Sequence, residues 1–317
     1  MDRREFGSTG LDVGVLTYGA MTITADPDLK DGVAPSLLAA LEGGVNLVDT
    51  ARVYPGSEEI VGATLRAWDG PAPLVSTKVR SHSRDGYRFA CPVNEAYPAE
   101  GIRESVNASL KALGRETLDI VHLHQWHYAW THDLSWLETL HRLREAGKLR
   151  FIAVSLQDHE HDAGLELVSR GLVDSVQTIV HLFESRPANA LLPLCAERGV
   201  GVIARCVLDS GGLTGALGAE DFAARTFLKH APQGEYAARL AALRTAFIPQ
   251  VADSLTELAL RFVASLRGVS TLTMGLAERR FVADALRSLE KGPLPDAAVS
   301  AIRREHVWSR NFYERLL

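Results

Sequence analysis

Eight short apolar runs recur along the chain, at residues 13–18, 45–49, 73–78, 118–124, 150–155, 173–179, 200–205 and 269–274. Runs of this length bounded by loop residues read as strands buried on both faces, as in a parallel sheet. Stretches with helical spacing lie between them, at 33–43, 57–68, 99–113, 132–146, 159–170, 187–199, 252–266 and 278–290. Ile102, Val106 and Leu110 repeat at four-residue intervals, and Ser57 stands where an N-cap is expected. Gly114, Gly147 and Gly171 stand where helices should end. Eight strand–helix units in order predict an α/β fold, a closed (β/α)8 TIM barrel. Two segments fall outside the repeat, at 79–98 after the third strand and at 205–250 after the seventh. Long insertions there predict binding loops or lids. Residues from 295 onward read as a tail helix packed back on the barrel. No Pro-, Gly- or Ser-rich linker divides residues 1–317, so the expectation is a single domain.

Four of the runs lead into residues capable of chemistry. VNLV leads into Asp49, LVST into Lys78, IVHL into His124 and FIAV into Ser155, and Tyr54 follows Asp49 by five residues. Barrel enzymes place their reactive groups at the carboxyl ends of the strands. Taken singly, each has a plainer role: a loop-ordering carboxylate, an exposed lysine, a surface aromatic, a core histidine. Taken together, in successive units of one barrel, they make a proton-donor device. A phenol is a weak acid at neutral pH, and an adjacent ammonium favours its ionised form. A carboxylate holds the ammonium, and an imidazole can hold a carbonyl oxygen in line with the phenol. Only six of the thirty-four basic residues are lysines, so a lysine at a strand end is less expected as background.

Composition narrows the picture further. The chain has 317 residues, 46% of them hydrophobic, enough for a large core. A net charge of −5 offers no global basic field for nucleic acid or an anionic membrane. No run of about 18 apolar residues is present to span a bilayer, and MDRREFGSTGLDV has no signal-peptide core. Cys91, Cys195 and Cys206 are odd in number and widely spaced, which predicts a reducing, cytoplasmic setting.

Two histidine clusters raise the question of a metal. HLHQWH places His122 and His124 on one face of a strand, a pattern zinc hydrolases use. The other strand ends offer Asp49, Ser155 and Gln177, which do not complete a zinc set, so His122 is expected as a polar filler and no metal is expected. DHEHD, at 158–162, reads as charge complementing a helix start.

The motifs resemble the aldo-keto reductase superfamily across nearly the whole length. REFGSTGLDVGVLTYGAM is similar to its first hairpin and strand, GVNLVDTARVYPGSEEIVGATL to its second unit, LVSTKV to its third strand and LKALGRETLDIVHLH to its fourth. LREAGKLRFIAVS, VDSVQ and GVGVIARCVLDSGGLTG continue the match in order. The resemblance implies reduction of a small-molecule aldehyde or ketone by hydride from NADPH, with NADH as the alternative. It makes Tyr54 the general acid, Asp49 and Lys78 its tuning pair, and His124 the residue that orients the carbonyl. Ser155 and Gln177 would hold the nicotinamide carboxamide; Leu156 stands where an asparagine is usual, with Gln157 as a substitute. Arg205 occupies the place of a stacking tyrosine, and a guanidinium can also lie flat on a ring. Gly211, Gly212, Leu213 and Gly215 would offer backbone N–H groups to phosphate. After the eighth strand, Gly275 is in place, Ala277 and Ala285 replace the usual basic residue and asparagine, and Arg279 with Arg280 would receive phosphate. Tyr87, Phe89, Trp126 and His127 around the mouth predict a sugar-like or ring-bearing substrate. Two other readings are a nicotinamide-binding sensor with vestigial catalysis and a metal-dependent hydrolase.

Overall fold

The computed structural model describes residues 1–82, 91–225 and 228–308. A hairpin of β1 (Arg3–Glu5) and β2 (Asp12–Gly14) precedes the barrel. The barrel strands are β3 (Leu16–Gly19), β4 (Leu47–Asp49), β5 (Leu74–Val79), β6 (Leu118–Leu123), β7 (Leu149–Ser155), β8 (Ser175–Ile179), β9 (Gly201–Arg205) and β10 (Thr271–Gly275). All run parallel in sequence order, and β10 pairs with both β9 and β3 to close the ring. The run at 13–18 is thus split near Val15 between the hairpin and the barrel, because the chain must turn from one sheet into the other. His124 lies one residue beyond β6.

Side chains alternate along a strand, so every second residue shares a face. The outer set, including Val48, Val75, Val121, Val154, Val176 and Val202, joins the main core beneath the helices. The inner set grades along the axis. At the floor, Leu47, Ile120, Ala153 and Ile203 form a separate cluster with Phe6, Leu11 and Val13 of the hairpin. One pleat higher the interior turns polar, with Ser76, His122 and Gln177 all buried. At the carboxyl end the inner set carries charge, at Asp49, Lys78 and Arg205.

The helices surround this ring much as the spacing predicts. Ala99–Leu113 matches the predicted limits and closes on Gly114, whose φ of 66° is left-handed. The helix at Ser57–Arg66 differs at its start. Gly56, with φ 70°, is the N-cap, and Ser57 is the first helical residue; its Oγ donates to the Ala20 carbonyl (2.8 Å) instead of capping. The predicted helix 159–170 is shorter, a 3-10 turn at His161–Gly164 followed by Leu165–Ser169. The excursion after β9 contains helices Ala219–Ala224 and Gln233–Phe247. The tail contributes the helix Asp296–Glu305. No helix among the described residues is long and apolar enough to cross a membrane.

Candidate active site

Asp49 ends β4 and Lys78 is the last residue but one of the adjacent β5, and both face inward, which brings them together at the carboxyl end of the barrel. Lys78 Nζ donates to Asp49 Oδ1 (2.9 Å), Asp49 Oδ2 (2.8 Å) and the Thr50 carbonyl (2.8 Å). The two carboxylate oxygens take one side of the ammonium and the Thr50 carbonyl another. Ser76 Oγ, one pleat below, donates to Asp49 Oδ1 (2.9 Å) and lies 3.0 Å from His122 Nε2. Burial works to raise the Asp49 carboxyl, but Lys78, with help from His122 and Ser76, holds it below the ordinary value. Burial and Lys78 push the His122 imidazole down to about 3, so it is neutral near pH 7.

Tyr54 stands on the loop after β4, where its N–H bonds the Ala51 carbonyl (3.0 Å). The loop is braced from below. Glu58, 1% exposed, accepts from Thr77 Oγ1 (2.6 Å) and pairs with Arg52. Lys78 Nζ lies 5.4 Å from the centre of the Tyr54 ring, and the His124 ring meets that ring edge-on at 5.7 Å and 86°. The four residues are therefore neighbours. The phenol's acidity departs from the expectation. Burial raises its pKa above the ordinary value and outweighs the opposing pull of Lys78. Burial and Lys78 together drive His124 down to about 3. Near neutral pH the pair is a protonated phenol beside a neutral imidazole.

Ser155 and Gln177 are register partners in β7 and β8, both buried. Gln177 Nε2 has no hydrogen-bond partner although it is shielded from water. An unmatched buried amide N–H is costly, and the carboxamide oxygen of nicotinamide is a group that would match it. The residues present therefore fit that cofactor. Leu156 is buried in the core, whereas Gln157 is half-buried. Arg205, at the end of β9, is held by Asp158 Oδ1 (2.6 Å) and the Leu156 carbonyl (2.9 Å), both on Nη2. Asp158 instead serves Arg205 and His159 bonds Glu184 (3.0 Å), while Glu160 and Asp162 of DHEHD stand at the start of the turn His161–Gly164 as expected.

The turn after β9 differs from the expected phosphate cradle. The N–H groups of Gly211, Leu213 and Gly215 donate to Leu208, Leu208 and Gly212 carbonyls, so they are already used within the turn. Leu213 itself is fully buried. Gly212 has a steric role: a Cβ there would lie 2.3 Å from the Tyr236 hydroxyl, which donates to Asp209 (2.9 Å). At the end of β10, a Cβ on Gly275 would lie 2.9 Å from Thr22 Oγ1. Arg279 and Arg280 open the next helix as expected, but Arg279 pairs with Asp28 (2.8 Å) and Arg280 with Glu278 (2.7 Å).

The aromatic mouth is only partly as expected. Trp126 is fully buried, packs edge-on against Trp130 and Trp136, and donates to the Ala163 carbonyl (3.2 Å), so it is a core residue and not a wall of the mouth. His127 is half-buried and accepts from the Ala129 N–H (3.3 Å). Tyr87 and Phe89 lie outside the described residues. Among the described residues no group of three His, Cys, Asp or Glu side chains could hold a metal ion. Sequence reasoning misses Ser76, Glu58 and Asp158. Only Asp158 had a signal, since a buried arginine at a strand end requires a nearby carboxylate.

This is the barrel of a carbonyl oxidoreductase that works with a nicotinamide cofactor. The chain belongs to the aldo/keto reductase family, whose model matches residues 15–305. It is 27% identical over 287 residues to an L-galactose dehydrogenase of Arabidopsis thaliana, covering 87% of this chain and 84% of the relative. It is 29% identical over 239 residues to an NADH-specific methylglyoxal reductase of Escherichia coli, covering 68% and 70%. A holo-form aldo-keto reductase of Bacillus halodurans shares the fold at a TM-score of 0.78 and 23% identity, covering 98% of this chain and 99% of the other.

Proposed function

We propose that this protein reduces an aldehyde or ketone to an alcohol with hydride from NADPH, and that Tyr54 delivers the proton. The observation that carries this reading is the convergence of Tyr54, Lys78, Asp49 and His124 at one end of the barrel. A neutral imidazole at His124 can hold the carbonyl oxygen without competing as an acid. The Tyr54 hydroxyl passes its proton to that oxygen as negative charge develops there. The phenolate left behind lies beside the Lys78 ammonium, which stabilises it. Asp49 fixes that ammonium and keeps it charged. The nicotinamide, when bound, supplies the hydride, and Ser155, Gln157 and Gln177 would hold and orient its carboxamide. Tyr54→Phe should lower turnover by about 10²- to 10⁴-fold, the range of a positioned general acid. NADPH oxidation against wild type and variant measures this, and unchanged turnover would remove the assignment.

NADPH is favoured by Arg279 and Arg280 at a helix start, with Gly211, Gly212, Leu213, Gly215 and Gly275 shaping the rest of the groove. A second reading, NADH, has its own observation: Asp28 and Glu278 already neutralise those two guanidiniums. One relative is also named as NADH-specific. Asp28→Asn should therefore tighten NADPH relative to NADH by several-fold, read from the two dissociation constants. The substrate we infer is sugar-like or ring-bearing, supported by the L-galactose dehydrogenase relative, with Tyr87 and His127, in the segments that follow β5 and β6 in sequence, as the residues proposed to meet it. A panel of simple aldehydes, ketosugars and aromatic ketones tests this, and uniform rates across it would count against it.

A further inference from the structure

Arg205 places a second cation in the reaction centre, and it is unlike Lys78. Lys78 is answered by both oxygens of Asp49. Arg205 is answered at one corner only, because Asp158 and the Leu156 carbonyl both take Nη2. Its Nε is buried without a partner, and Nη1 reaches only Cys206 Sγ at 3.6 Å. Arg205 also stands one pleat above Ile203, the register partner of Gln177, so it borders the carboxamide seat. Its charge is felt across the centre: after burial and Lys78, it is among the influences on both Tyr54 and His124. Nε and Nη1 are thus the donors of the guanidinium that meet no oxygen.

We propose that Arg205 makes this site discriminate by charge between the two redox forms of the nicotinamide, favouring the neutral reduced ring over the cationic oxidised one. The inference rests on the reading that Ser155 and Gln177 seat the nicotinamide. Reduced cofactor has no ring charge for Arg205 to repel, whereas oxidised cofactor is pushed away by it. An aromatic side chain at the same place would do the reverse, since a π face attracts a cation. The pairing with Asp158 weakens the repulsion without abolishing it, because the carboxylate meets Nη2 alone. The discrimination belongs to binding and suits a site that must release oxidised cofactor after each reduction.

The test is fluorescence titration of the intact protein with NADPH and competitive titration with NADP⁺. Arg205→Met should shift the ratio of the two dissociation constants toward NADP⁺ by about tenfold, an order expected for one partly neutralised charge in a shielded site. The paired variant Asp158→Asn with Arg205→Gln removes both charges while keeping an amide contact, and guards against a fold damaged by a lone Asp158. It should shift the ratio in the same direction with the melting temperature kept. Equal weakening of both forms, or an unchanged ratio in a folded paired variant, would overturn the inference and leave Arg205 a structural clamp. Failure of wild type to bind either form is a different result, since it would remove the nicotinamide seat as well.

Discussion

Lys78 hydrogen-bonds Asp49 and the Thr50 carbonyl, not the Tyr54 phenol, and that limits how it acts on Tyr54. Its influence is instead the field of a charge near the ring, 5.4 Å from the centre. That field is too weak to overcome burial, so the phenol is held above its ordinary pKa. With Tyr54 as the proposed proton donor, the reductive rate should stay flat through neutral pH and fall only above about pH 10. His124, at about 3, should add no limb between pH 5 and 8. A pH–rate profile of kcat/KM checks both, and a limb near pH 6 that disappears in His124→Asn would contradict the neutral imidazole. Asp49, Lys78 and His124 are legible as sequence because each sits at an apolar run's end, where period two fixes its direction. The acidity of Tyr54 is not, because burial depends on what surrounds the residue in space.

At the scale of elements, the loop carrying Tyr54 depends on the helix that follows it. Glu58 in that helix's first turn ties it to β5 through Thr77 and to the loop through Arg52. Glu58→Gln would replace the buried carboxylate beside Arg52 by a neutral amide, leaving only the exposed Glu59 to pair with it, at a cost of about 1–3 kcal/mol. The expected outcome is a lower melting temperature and lower kcat, with the cofactor dissociation constant unchanged. Weaker cofactor binding at full kcat would show that the brace serves another part of the site. The eight strands and the helix Ala99–Leu113 are readable from local pattern alone. The segment 159–170 is not, because Asp158 and His159 are engaged by Arg205 and Glu184, 47 and 25 residues away, and His159 takes a φ of 61°. Partners so distant in sequence override local helix propensity. In the glycine turn at 211–215, the N–H groups of Gly211, Leu213 and Gly215 bond carbonyls within the turn, which composition alone does not reveal.

Across the whole molecule, the polar middle of the barrel makes stability depend on acid. His122 and His124 are held near 3 in the fold and titrate near 6.5 when unfolded, and the Asp49 carboxyl is held below its ordinary value. All three shifts have the same sign, so the unfolded chain binds protons that the fold refuses. Stability is full above about pH 6.5 and is lost as pH falls toward 3, by several kcal/mol in all. Urea midpoints measured between pH 7 and 4 should fall steadily, and the slope should lessen in His122→Gln. A flat midpoint over that range would contradict the buried neutral histidines. The hairpin has a consequence of another kind. Phe6, Leu11 and Val13 stopper the barrel's amino-terminal end against Leu47, Ile120, Ala153 and Ile203. That plug shuts the barrel's floor, so anything that reaches Lys78 and His124 comes to them from the carboxyl end of the strands.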